Sequence, residues 1–134
     1  MGETQVPLEL LSNFLSIVIL VMLLLKYYQY KKKMDVLKGL DDLKKQKKLT
    51  IEDKNFIKSN FKDYSIAVVR DEQRLKLLYP IFILGAGILF AFLPFKEALI
   101  HLNVIVVAYI FLQVSKIHTR NFATLLNQLS KDID

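Results

Sequence analysis

The chain has no cysteine and no tryptophan, and its 134 residues include only two histidines, four glycines and three prolines. Without cysteine there is no disulfide framework, no thiolate nucleophile and no zinc–thiolate or iron–sulfur ligation. The two imidazoles, His101 and His118, are 17 positions apart and fall on opposite sides of an apolar run, so they cannot share a metal within one chain. Glycine is too sparse for a phosphate-cradling loop, and neither a nucleophile elbow nor an HExxH pair occurs. The expectation is a non-enzyme with no cofactor, no metal and no small-molecule substrate.

What the chain has is apolar mass beside charge. Hydrophobic residues are 53% and charged residues 24%, yet the mean hydropathy is +0.31. Both hold only if the two kinds of residue are segregated along the sequence. The apolar content excludes disorder, and the length fits one domain.

Three runs carry the apolar residues. They cover residues 8–28, 77–95 and 98–114. At 1.5 Å per helical residue each reaches roughly 25–32 Å, against a hydrocarbon core of about 30 Å. Residues 14–25 and 81–93 have almost no polar face, unlike a core helix of a water-soluble domain. The expected class is an all-α membrane protein with three transmembrane helices. The first run is expected to stay uncleaved, because acids (Glu3, Glu9) precede its core 14–25 and lysines (Lys26, Lys31–Lys33) follow that core.

Charge sets the expected sidedness. Residues 26–76 hold 15 of the 19 Lys and Arg, against eight acids. The positive-inside rule places this insert and the tail 115–134 in the cytoplasm, with residues 1–7 and the turn Lys96–Glu97 outside. A Lys/Ile/Leu-rich, cysteine-free chain fits a bacterial cytoplasmic (inner) membrane.

Cytoplasmic residues 29–76 read as a helical hairpin with its turn near 46–49. Val36, Leu40 and Leu43 form one helical stripe; Ile57, Phe61, Tyr64 and Val68 form a second; Phe122, Leu125 and Leu129 form a third on the tail. Thr50 followed by Glu52 and Asp53 marks a helix start. Three amphipathic helices predict a small bundle, and their stripes are the candidate surfaces for a protein partner. Leu37-x-x-Leu40-x-x-Leu43, then Leu49-Thr50-x-x-Asp53, resembles the SHOCT motif, a short helical hairpin, over residues 36–62. The family's turn glycine is Lys47 here, and its aromatic after the acid is Lys54. The resemblance implies an oligomerisation or docking element without catalysis.

The intramembrane polar candidates are Asn13, Ser16, His101, Asn103 and Gln113. Polar groups in lipid are costly unless paired, so Asn103 is expected to face Asn13 and Ser16, and His101 to meet Glu97 one turn away. At 100° per residue His101, Asn103 and Gln113 do not make one polar file. Gly87 and Ala91 form a small-residue ridge suited to close helix packing. Lys31, Lys32 and Lys33 sit where anionic lipid headgroups would lie. The basic stretches are interleaved with acids, which argues against nucleic acid.

These features point to a small membrane scaffold or accessory subunit acting through protein–protein contacts, with membrane lipids and another membrane protein or a second copy as partners. The alternative is an ion- or proton-conducting subunit, stator-like or holin-like. The order of elements is similar to that of the ExbB, TolQ and MotA subunits.

Overall fold

The structure, a computed structural model, describes residues 2–131 and 133, with side chains from residue 8 onward. The expected external segment, residues 1–7, falls outside the described side chains. The described chain is all helical. It consists of α1 (Gly2–Lys45), α2 (Ile51–Phe92) and α3 (Phe95–Ser130), each long and apolar enough to cross a membrane. Two compact units are built from segments of all three helices. One comprises Met1–Leu25 with Arg74–Val114, the other Lys26–Gln73 with Ser115–Asp134.

The links between helices follow from local chemistry. α1 ends in a Schellman motif: the Lys48 amide donates to the Leu43 carbonyl at 2.9 Å and the Lys47 amide to the Lys44 carbonyl at 3.0 Å. The motif requires a left-handed residue, and Lys47 takes it at φ 59°. This is the position at which the hairpin family carries glycine. α2 then opens on a reciprocal capping box. Asp53 N–H donates to Thr50 Oγ1 at 3.0 Å, and Thr50 N–H donates to Asp53 Oδ2 at 3.1 Å. The second break falls at Leu93–Pro94, not at Lys96–Glu97. Leu93 precedes a proline and is pushed out of the helical region. Pro94 lends its carbonyl to the Ala98 amide at 2.9 Å, so Lys96 and Glu97 belong to the first turn of α3.

The lysine-rich unit has an apolar core. Leu37, Leu40, Ile57, Phe122, Leu126 and Leu129 are buried together, with Tyr30, Met34, Leu43, Leu49, Phe61, Tyr64, Leu125 and Ile133 packed around them. The core positions on α1 and α3 step by three and four residues, the spacing of knobs-into-holes packing. Val36 is the exception among the expected stripe residues, because it is exposed. Leu40 is common to two possible stripes, and the one through Leu37 and Lys44 faces inward. Lys44 sits at the end of that stripe and donates to the carbonyls of Gln128 (2.9 Å) and Lys131 (2.5 Å), capping α3.

The apolar unit is built the other way round. Its buried residues are Ser12, Ser16, Leu75, Ala98 and Val107, three of them small. Leu10, Phe14, Ile17, Leu20, Leu24, Ile83, Leu84 and Ile88 are exposed. A water-soluble fold would bury that second set, at about 25 cal/mol per Å². Serine and alanine inside with most aliphatics outside is the packing that helices adopt when the surrounding solvent is itself apolar. At Gly85 α2 lies against α3, where a Cβ would be in ordinary van der Waals contact with Ile105 Cδ1 at 3.6 Å.

Candidate functional site

Two groups of polar side chains stand out, one in each unit.

In the apolar unit the decisive contact joins α1 to α3. Ser12 Oγ and His101 Nδ1 share a hydrogen bond of 2.5 Å. Glu97 does not meet His101, as the i,i+4 spacing had predicted. The imidazole faces the neighbouring helix, where burying it with a partner avoids a lone polar group in an apolar setting. Ser16, one turn further along α1, is buried with its hydroxyl unpartnered. Gln113 satisfies itself within α3, its amide donating to the Tyr109 hydroxyl at 2.7 Å.

Asn103 behaves differently. It is exposed, as is Asn13, and no hydrogen bond forms to either side chain among the described residues. Both line one shallow groove of about 360 Å³ together with Leu99, Ile100, Leu102 and Val106. The structure thus brings Asn103 near Asn13, as expected, but not into the interior with Ser16. Gly87 and Ala91 also face outward. The close packing expected of that ridge falls instead on Gly85.

In the lysine-rich unit, aromatic and basic groups converge. Tyr30 on α1 stacks on His118 of α3, with ring centres 3.9 Å apart and planes 15° from parallel. Phe122 packs against both Tyr30 and Tyr64 at 5.2 Å. Asn121 Nδ2 donates to the Tyr30 hydroxyl at 3.0 Å, which fixes the ring. Lys33 is half-buried and its ammonium donates to the Tyr64 hydroxyl. It therefore approaches Tyr64 at the ring edge, so a charge–hydrogen bond, not a cation–π contact, describes the pair. No carboxylate is paired with Lys33 among the described residues. Burial lowers the Lys33 ammonium below its usual value. His118 is also held low, first by burial and then by the positive charge of Lys26. Its Nδ1 is buried without a hydrogen-bond partner.

Of the three lysines expected at lipid headgroups, only Lys33 turns inward; Lys31 and Lys32 are exposed. The sequence reading missed the convergence of Tyr30, Tyr64 and His118. The available signal was the 3-4 spacing of Lys26, Tyr30, Lys33 and Leu37, which places all four on one helical face.

The stripes expected to bind a partner are largely occupied by one another. Leu40, Ile57, Phe122 and Leu129 are buried in the chain's own core, with Leu43, Phe61, Tyr64 and Leu125 half-buried beside them. Val68 is half-buried and lines a shallow groove with Phe61, Ser65, Arg120 and Thr124. At the rim of that groove Arg120 Nη2 donates to Glu72 Oε1 at 3.0 Å.

Among the described residues no three His, Asp or Glu side chains cluster as metal ligands would. Comparison with protein families, with characterised proteins and with solved structures finds no match to this chain.

Proposed function

We propose that the chain is a small multi-pass membrane scaffold that works by associating with a second copy of itself through the groove holding Asn13 and Asn103. The supporting observation is the exposure of these two unpartnered amides on an otherwise aliphatic surface. In lipid, an amide with no partner is costly, and hydrogen bonding across a helix interface relieves it, at about 0.6–2 kcal/mol per contact. Two copies related by a twofold axis would present amide to amide, as an isologous interface requires. The exposed Gly87 and Ala91 would allow close approach at a further contact.

The membrane assignment draws on the inverted packing of the apolar unit. Sidedness draws on lysine density alone, which favours the lysine-rich unit and the tail in the cytoplasm of a bacterial cell. On this reading the lysine-rich bundle holds the three helices in register and presents its exposed face to other proteins. Val36 on α1 and Phe56, Ile66 and Val69 on α2 are among the exposed apolar residues there.

Two differently tagged copies, co-expressed and extracted in mild detergent, test the proposal. One tag should retrieve the other, and Asn103→Leu should weaken retrieval without loss of the protein from membranes. Retrieval unchanged by Asn103→Leu would refute the groove as the interface.

A second reading, an ion- or proton-conducting subunit, draws on the hydrogen bond between Ser12 and His101 and the unsatisfied hydroxyl of Ser16. The same face of α1 continues through Ile19 and Leu23, which carry no proton-relaying group. Purified protein in liposomes decides between the readings. Conductance that disappears in His101→Leu would favour conduction.

A further inference from the structure

The lysine-rich unit contains a cavity of about 210 Å³ whose lining has an unusual balance. Lys26, Gln29, Tyr30 and Lys33 of α1, Tyr64 of α2, and His118, Thr119 and Phe122 of α3 form its wall. It holds two ammonium groups, two phenols, a hydroxyl, an amide and an imidazole, and not one carboxylate.

Two of these groups are poorly satisfied. Lys33 is a half-buried cation whose counterpart is a neutral phenol. His118 Nδ1 is buried and unpartnered. Leaving a buried charge without a counter-charge, or a ring nitrogen without a hydrogen bond, destabilises the fold unless something else fills the site. A cation would be repelled by the ammonium groups. A neutral ligand would leave Lys33 without a counter-charge. The missing group must therefore be negative and rich in acceptors.

Size narrows the class. The volume is several times a water's share of about 30 Å³ and below the roughly 300 Å³ at which drug-sized pockets begin. One tetrahedral oxyanion with its ester oxygens fits that range. Its oxygens could accept from the Lys33 ammonium, the phenols and the Thr119 hydroxyl, while the imidazole, which takes a proton from water because the anion favours its charged form, donates from Nδ1.

The site's place along the helices identifies where such a group is found. Lys26 directly follows the uncharged core 14–25 of the first apolar run, and His118 comes four residues after Val114, the end of the third. At 1.5 Å per residue both fall within the headgroup layer, about 5–8 Å deep, beside the hydrocarbon core. Lysine side chains on a helix lean toward its N-terminus, which for Lys33 is toward that layer.

We propose that this cavity binds a phosphate group carrying net negative charge, from an anionic phospholipid headgroup or from soluble phosphate. The lipid source rests on the membrane reading above, and the soluble source does not.

Full-length protein in neutral detergent tests the proposal. It is titrated with short-chain phosphatidylglycerol, short-chain phosphatidylcholine and inorganic phosphate in separate arms. Lipid binding is followed by native mass spectrometry and the His118 imidazole by NMR, with His101→Gln supplying the assignment. Phosphatidylglycerol should bind in preference to phosphatidylcholine and shift the His118 resonance. Lys33→Gln and His118→Gln should each weaken binding about tenfold, the loss of one charge-assisted hydrogen bond. Lys33→Arg should retain binding, and Lys32→Gln, at the exposed neighbour, should leave it unchanged. A shift caused by inorganic phosphate alone would assign the soluble source. The proposal is overturned if neither ligand moves His118, or if Lys32→Gln costs as much as Lys33→Gln. Flotation with pure phosphatidylcholine vesicles tests the membrane reading separately.

Discussion

The Tyr30 phenol lies flat on the His118 imidazole, 3.9 Å between ring centres, and this stack joins α1 to α3 where the first apolar run gives way to lysine. It places an imidazole among Lys26, Lys33 and Tyr30 of α1 and Tyr64 of α2, with no acid on the cavity wall.

One consequence is a pH dependence of stability. Burial, with the charge of Lys26, holds His118 below its ordinary value near 6.5. Between the lowered folded value and 6.5 the unfolded chain binds more protons than the folded one, so stability rises with pH across that window. The unliganded protein should lose stability as the pH falls from about 7 through 6.5 and below. Thermal unfolding of wild type and His118→Gln at several pH values checks this; the variant should show a shallower slope. Bound phosphatidylglycerol should reverse the preference, because a neighbouring anion favours imidazolium, and since its phosphodiester keeps its charge, its affinity should rise as the pH falls from about 8 to about 6.

Lys33 should be dispensable for folding yet required for the anion. Replacing a poorly solvated cation by an apolar side chain of similar length is often neutral or stabilising. Lys33→Met is expected to melt at or above the wild-type temperature and to lose phosphatidylglycerol binding. A variant that melts well below wild type would identify Lys33 as a structural cation and nothing more.

The turn between α1 and α2 contains a second avoidable cost. Lys47 adopts φ 59° inside a Schellman motif, a conformation that costs an L-residue roughly 1–2 kcal/mol and glycine far less. Lys47→Gly should raise unfolding stability by about 0.5–1 kcal/mol in denaturant titration. Its effect on membrane retention should be nil, since the substitution changes only a solvent-exposed turn.

Much of the architecture could be read from the residues. Apolar runs long enough to cross a bilayer, the turn near 46–49, and the Thr50 start of α2 follow from local chemistry, and the structure contains each. What eluded the pattern was rotation about the helix axes. Val36 and Leu37 are both apolar neighbours of Leu40, and only packing against Ile57, Phe122 and Leu129 selects Leu37. His101 could reach Glu97 on its own helix, but Ser12 on the facing helix offers the partner that also buries the ring. The candidate anion cavity assembles residues from three helices up to 96 positions apart (Lys26 to Phe122), and no spacing rule reaches across that distance. The lysine run marked a cluster of positive charge, but not that Lys33 alone of Lys31–Lys33 would turn inward.

The central claim, that the outward face of the apolar unit pairs two copies through Asn103, is open to a direct measurement because the chain has no native cysteine. Asn103→Cys, oxidised in native membranes, should produce a disulfide-linked dimer on a non-reducing gel. Ile105→Cys, which faces Gly85 inside the chain, should remain monomeric. A monomeric Asn103→Cys under conditions that oxidise exposed thiols, or equal cross-linking at both positions, would contradict the account.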